Sequence, residues 1–209
     1  MKPCTFKVLA LLLSPFILAG CGGKDECKDR ASTVSYAVYG EYAKDSNKLM
    51  QPDLNRRVFD RVEAQSGNDI QLIKEGEDAG CITLEKGTYR ISGFSMVTMQ
   101  DSLSLPHIDH NDTYPGYAIV YPELYEDSAM APLLKHAVGI GCLSIPYSST
   151  SSLFDCVYSF KEKTKIAVGH QSGHNLHDEV YLSVYEVNGL ATDYHVVARI
   201  AITRIGDIN

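Results

Sequence analysis

Five of the seven histidines fall in two short stretches, and both stretches carry carboxylates. The first is His107-Ile108-Asp109-His110-Asn111-Asp112. The second holds His170, His174 and His177 and runs on into Asp178 and Glu179. Neutral imidazole and carboxylate are good ligands for zinc or a similar ion. A helix over 170–177 would place its three imidazoles on one face. Gly169, Ser172, Gly173 and Asn175 favour a loop instead, so any ligand geometry would have to come from turns. A metal site drawn from His107, Asp109, His110, His170, His174 and His177 is one reading; two solvated, polar loops are the plainer one. Asp109, Asn111 and Asp112 offer oxygen ligands for calcium, though not at the spacing of an EF-hand loop.

Nucleophilic chemistry finds less support. Gly169-His170-Gln171-Ser172-Gly173 sets its serine one place too late for a nucleophile elbow. Ser172 near His174 lacks a third member and assigned oxyanion donors. Neither a phosphate-cradling glycine loop with lysine nor a dinucleotide fingerprint is present. The chain therefore reads as a non-enzyme. Thirteen tyrosines stand against no tryptophan. Tyrosine suits half-buried strands, and it also suits contact surfaces, because it supplies area with a polar end. Tyr114, Tyr117, Tyr121 and Tyr125 could line a surface for a protein or glycan ligand, with the missing tryptophan counting against glycan stacking.

The elements that must position these groups are short apolar segments between turns. Ile70 and Leu72, then Ile82 and Leu84, alternate with polar neighbours. Glu85-Lys86-Gly87 reads as a three-residue turn whose glycine takes a positive φ. Tyr89 to Met99 follows as a long strand, with Gly93 marking a bulge or a close approach. Further strands run from Tyr117 to Tyr121, Ala137 to Ile145, Leu153 to Phe160 and Lys165 to Val168. The last two are joined by the charged turn Lys161-Glu162-Lys163-Thr164. Val180 to Val187 ends at the turn signal Asn188-Gly189. In the final strand Val196, Ala198, Ile200 and Ile202 face one way, with Val197 and Ala201 among those facing the other. About ten strands and no convincing long helix predict an all-β antiparallel sandwich, jelly-roll-like in its connections.

With 19 basic against 26 acidic residues the net charge is −7, which disfavours nucleic acid as a partner. Lys2 and Lys7 precede an apolar run from Val8 to Ile17, too short for a helix to cross a hydrocarbon core of roughly 30 Å. The run closes on Leu18-Ala19-Gly20-Cys21, which resembles the lipobox of bacterial lipoproteins. That resemblance implies a signal peptide over residues 1–20, cleavage before Cys21, and acylation of its thiol with chains such as palmitate. Gly22, standing where an aspartate would retain the protein at the inner membrane, implies the outer membrane. Residues 21–52 then read as a lipidated tether, with a short helix around Tyr39 and Ala43, and residues 53–209 as the domain.

Of six cysteines, Cys4 leaves with the signal and Cys21 carries lipid. Cys27, Cys81, Cys142 and Cys156 remain in an exported, oxidising setting that favours disulfides. Four cysteines allow three pairings. Cys142–Cys156 is preferred, because the segment between can double back, and its loop would contribute about 3 kcal/mol. Cys27–Cys81 would pin the tether to the domain. Free buried thiols are the alternative.

Gly87-Thr88-Tyr89-Arg90-Ile91-Ser92-Gly93-Phe94 and the closing Tyr194-to-Ile205 strand resemble the complement- and tumour-necrosis-factor-like jelly rolls. The resemblance implies a binding or assembly module, usually a homotrimer. The apolar pair Val197 and Ala201, on the outer face of the last strand, points the same way. The expectation is a cell-envelope lipoprotein, held to the membrane through Cys21, with a non-enzymatic binding or assembly domain and no cofactor. A metal-dependent envelope hydrolase using the histidine loops, with zinc or calcium, and a purely structural envelope component are the alternatives.

Overall fold

In a computed structural model, residues 34–42, 48–99, 116–122, 136–144, 151–172, 180–182 and 195–208 are described, all within the unit Thr33–Asn209. Among them the chain forms strands and no helix. One antiparallel sheet has the order β10 (Ser151–Phe160), β6 (Gly87–Met96), β13 (Val196–Gly206), β1 (Tyr36–Tyr42), β3 (Arg61–Ser66). The other runs β4 (Ile70–Leu72), β5 (Ile82–Leu84), β11 (Thr164–Gln171), β8 (Gly116–Pro122), β9 (Gly139–Ser144), with β2 (Leu54–Arg56) also pairing β11. A two-stranded annex joins β7 (Thr98–Met99) to β12 (Val180–Tyr181). This is the antiparallel, jelly-roll-like sandwich that the strand pattern predicts.

Alternation fills the space between the sheets. Ala198, Ile200 and Ile202 from β13 and Tyr89 and Ile91 from β6 meet Ile82, Leu84, Val120, Ile166 and Val168 from the opposite sheet. Each such isoleucine, leucine or valine side chain, taken fully from water, stabilises the fold by about 1.5–3 kcal/mol before its ordering entropy is counted. Strand β8 reads as a continuous apolar run because both its faces are covered. Ala118 and Val120 enter the central core, while Ile119 and Tyr121 join Cys81 and Ala167 in a second cluster beneath Leu54, Ile73 and Ala137.

Several expectations change. Residues 36–42 are a strand, not part of a tether: β1 is hydrogen-bonded on both sides, to β13 and β3. The domain thus begins near Thr33 rather than at residue 53, and the helix expected around Tyr39 does not form through residue 42. Gly87 is not among the glycines of positive φ; it opens β6. Gly93 sits in uninterrupted register with both neighbours, so it marks a close approach and not a bulge. The long strand after Tyr89 breaks at Val97, whose side chain leaves the main core for a small cluster with Met50, Val180 and Leu182. Val197 is buried too. The register shifts between Glu41 and Tyr42, which pair with Ala198 and Val196, and Val197 is the extra residue between them. A bulge re-aims its side chain, so Val197 does not belong to an open outer face, and the apolar pair read as a self-association surface loses one member.

Candidate functional site

Arg57, between β2 and β3, is fully buried, and each of its three side-chain nitrogens donates to a protein oxygen. Nε donates to Ser95 Oγ at 2.7 Å; Nη1 and Nη2 donate to the carbonyls of Leu182 and Met96. Its counter-ion is Glu41 of β1, 3.7 Å from Nη1 and also 3.7 Å from Lys48 Nζ. Burial lowers the pKa of Arg57, and Glu41 opposes that shift. Ser95 Oγ lies 2.8 Å from His170 Nδ1, and His170 Nε2 lies 3.2 Å from Ser144 Oγ.

The guanidinium only donates, so Ser95 Oγ accepts from it; because Ser144 gives its own proton to a carbonyl, a neutral ring must present Nδ1 to the Ser95 hydroxyl. Nε2 then carries the ring hydrogen and donates to Ser144, whose hydroxyl donates to the Gly116 carbonyl at 3.1 Å. The hydrogen bonds thereby assign a neutral, Nε2-protonated imidazole. Burial, and after it the Arg57 guanidinium, hold His170 at a pKa of about 3.

Serine beside histidine invites a hydrolytic reading, but Ser95, Ser144 and His170 are each 0 % exposed. No substrate reaches them, and the ring faces a guanidinium where a triad would need a carboxylate. The cluster spans β6, β8, β9 and β11 and ties the two sheets together at one end. His170 is therefore not the metal ligand expected from its spacing to His174 and His177: both ring nitrogens are bonded to hydroxyls, and an adjacent cation disfavours another. His107, Asp109, His110, His174 and His177 lie outside the described residues. The residues bracketing them are neighbours, since Met99 pairs with Val180 and Tyr117 with Gln171.

The cysteines also differ from expectation. Strand β9 runs against β10, with Ser152 Oγ donating to the Cys142 carbonyl and Leu153 N donating to Cys142 Sγ at 3.1 Å. Cys156 Sγ instead lies against Gly139. Three residues of strand rise, about 10 Å, separate the two thiols along the seam. A disulfide needs Cα atoms within about 7 Å, and Cys142 and Cys156 remain unjoined. Cys81 is buried against Ile119, Tyr121 and Ala167; Cys27, its expected partner, lies outside the described residues, as does Cys21. Of the four tyrosines expected at a surface, Tyr121 is core and Tyr117 is half-buried, with a pKa raised by burial. Tyr114 and Tyr125 lie outside the described residues.

An accessible concavity lies elsewhere, where the chain crosses from β10 to β11. Pro122, Tyr158, Phe160, Lys161, Lys163 and Lys165 line a groove of ≈ 500 Å³, within the size range of small-ligand sites. Phe160 is buried against Tyr89, with ring centroids 6.0 Å apart, and supports the exposed Tyr158 ring at 4.8 Å. Lys163 and Lys165 are steadied by Glu85 and Asp78, while Lys161 makes no ion pair among the described residues. The rim also carries Glu162, so Lys161 is the lysine it offers to a carboxylate, and the floor can meet an apolar or planar group. The charged turn was legible in sequence; its meeting with Pro122, about forty residues earlier, was not.

No protein-family model matches the sequence, and no curated protein matches it. Among solved structures, two crystal structures of murine APRIL, at pH 8.0 and pH 8.5, are similar, each with a TM-score of 0.42. They are 8 % and 10 % identical to this chain, and each match covers 83 % of this chain and 98 % of the other.

Proposed function

We propose that this chain is a lipid-anchored binding module of a bacterial cell envelope, attached to the outer membrane through acylated Cys21 and engaging a protein ligand at the β10–β11 groove. The observation that carries the reading is the contrast between two sites. The histidine–serine cluster is sealed from solvent, whereas the groove is open and pairs an apolar floor with lysine ammonium groups. One experiment addresses both parts. The full chain carries a photo-crosslinking residue at Lys161, or at exposed Glu75 as control, in cells of the source organism. A discrete adduct from position 161 alone, in the membrane fraction, is expected. Cys21→Ser should abolish fatty-acid labelling and membrane recovery. Equal adducts from both positions would remove the groove, and labelled, membrane-bound Cys21→Ser protein would remove the anchor.

One observation favours a second reading. Segments 100–115 and 173–179, which hold His107, Asp109, His110, His174 and His177, are each bracketed by residues paired across neighbouring strands. A zinc ion held jointly by the two segments fits that arrangement. Purified protein would then bind about one zinc, lost equally in His107→Ala and His174→Ala. Failure of the native protein to bind zinc discards this reading.

A further inference from the structure

We propose that Arg57 and His170 form an acid-sensitive latch, which holds the annex of residues 48–50, 98–99 and 180–182 on the sandwich and releases it as pH falls.

Among the described residues the backbone pairing of the annex is short. Its two strands are two residues long, and Leu49 adds a single bridge to Tyr181. Met50 N and Leu182 N donate to the Val180 and Lys48 carbonyls, each at 2.8 Å. Its four-residue apolar cluster of Met50, Val97, Val180 and Leu182 is separate from the main core. The Arg57 guanidinium ties it to the sandwich: one Nη bonds the Leu182 carbonyl, the other the Met96 carbonyl just before Val97, and Nε bonds Ser95. Ser95 is in turn fixed by His170.

A proton on His170 has no favourable place in this arrangement. Nδ1–H would point at the proton that Ser95 already directs toward it, and a second cation would stand beside Arg57. Among the described residues the charged groups facing the ring are few. Arg57 is adjacent, Glu41 reaches Arg57 from β1, and Lys48 offsets Glu41. Strands β2, β6, β8 and β9 present Asn55, Ser95, Gly116 and Ser144, none of them charged. The closed state therefore excludes the proton, and a state with the annex lifted, exposing the ring to water, accepts it.

The direction follows from linkage. His170 titrates at about 3 when closed and at the ordinary 6.5 when exposed. Between those values the open state binds more protons, so closure is complete above pH 6.5 and is lost as pH falls below it. Opening grows by almost tenfold per pH unit in that window, which gives about 30-fold between pH 7.5 and pH 5.0.

Hydrogen exchange on the full chain at these two pH values, corrected for intrinsic rates, reads this directly. The Met50 and Leu182 amides should show about 30-fold more opening at pH 5.0, while amides of β8 and β13 change less than threefold. His170→Gln keeps a donor for Ser144 but cannot take a proton, and should flatten the dependence. A uniform change across the sandwich, or none at the annex, overturns the latch in the native protein alone, whatever the variant does. A dependence that survives in folded His170→Gln assigns the effect to another group and also overturns it.

Discussion

Arg57→Met is expected to cost about 3–5 kcal/mol of folding stability, the range for removing one partner of a buried ion pair. The side chain is 0 % exposed, so no water replaces what it donates. Its loss leaves the Leu182 and Met96 carbonyls and one Ser95 lone pair without a donor, and buried unmet groups cost about 1–3 kcal/mol each. Glu41 keeps the Val58 amide at 3.2 Å and Lys48 at 3.7 Å, so the stranded carboxylate is partly compensated. That compensation keeps the estimate from going higher. Urea unfolding of wild type, Arg57→Met, Glu41→Gln and the double variant would measure it. The double variant should recover about 1–2 kcal/mol relative to additivity, because removing both charges leaves neither buried alone. A loss below 1 kcal/mol in Arg57→Met, with the fold unchanged, would show that the guanidinium does not hold the annex and the sheets together.

The strands that read cleanly in the sequence are those whose faces differ in local pattern. In β13, Ala198, Ile200 and Ile202 alternate with Arg199, Ala201 and Thr203, and the pleat alone sorts them. Strand β1 defeated the same rule for a non-local reason. Its inward set is Ala37, Tyr39 and Glu41, and a carboxylate on the core face argues against a strand until Arg57 and Lys48 arrive from later in the chain. Tyr39 and Ala43, four apart, then suggest a short helix. His170 was misplaced by proximity. In sequence it belongs with His174 and His177, but its bonds go to Ser95 and Ser144, 75 and 26 residues away. Strand β11 extends to Gln171 and carries the ring inside. The cysteine pairing failed on register. A chain that doubles back brings Cys142 near Leu153 and Cys156 near Gly139, and only the offset between two strands separates those outcomes from a disulfide.

Gly93→Ala is expected to lower stability by roughly 3 kcal/mol or more, at the upper end of overpacking substitutions. Gly93 lies mid-sheet in β6, opposite Phe154 of β10 on one side and Ile200 of β13 on the other. A Cβ there would press into the carbonyl oxygen of Arg199 and stand 2.7 Å from Phe154 Cζ. The ring can turn aside. The carbonyl cannot, because β13 is hydrogen-bonded to both β6 and β1 and would have to shift as a unit. Gly206→Ala is the matched control: its Cβ would meet only Thr88, at an ordinary 4.0 Å, and should change stability by less than about 0.5 kcal/mol. Adding Phe154→Leu to Gly93→Ala separates the two obstacles. Relief of the ring contact alone should restore only a minor part of the loss, since the backbone oxygen remains. Full recovery in the double variant would place the whole constraint on the ring, and a Gly93→Ala chain within 1 kcal/mol of wild type in urea unfolding would show that β13 and β6 do not approach this closely.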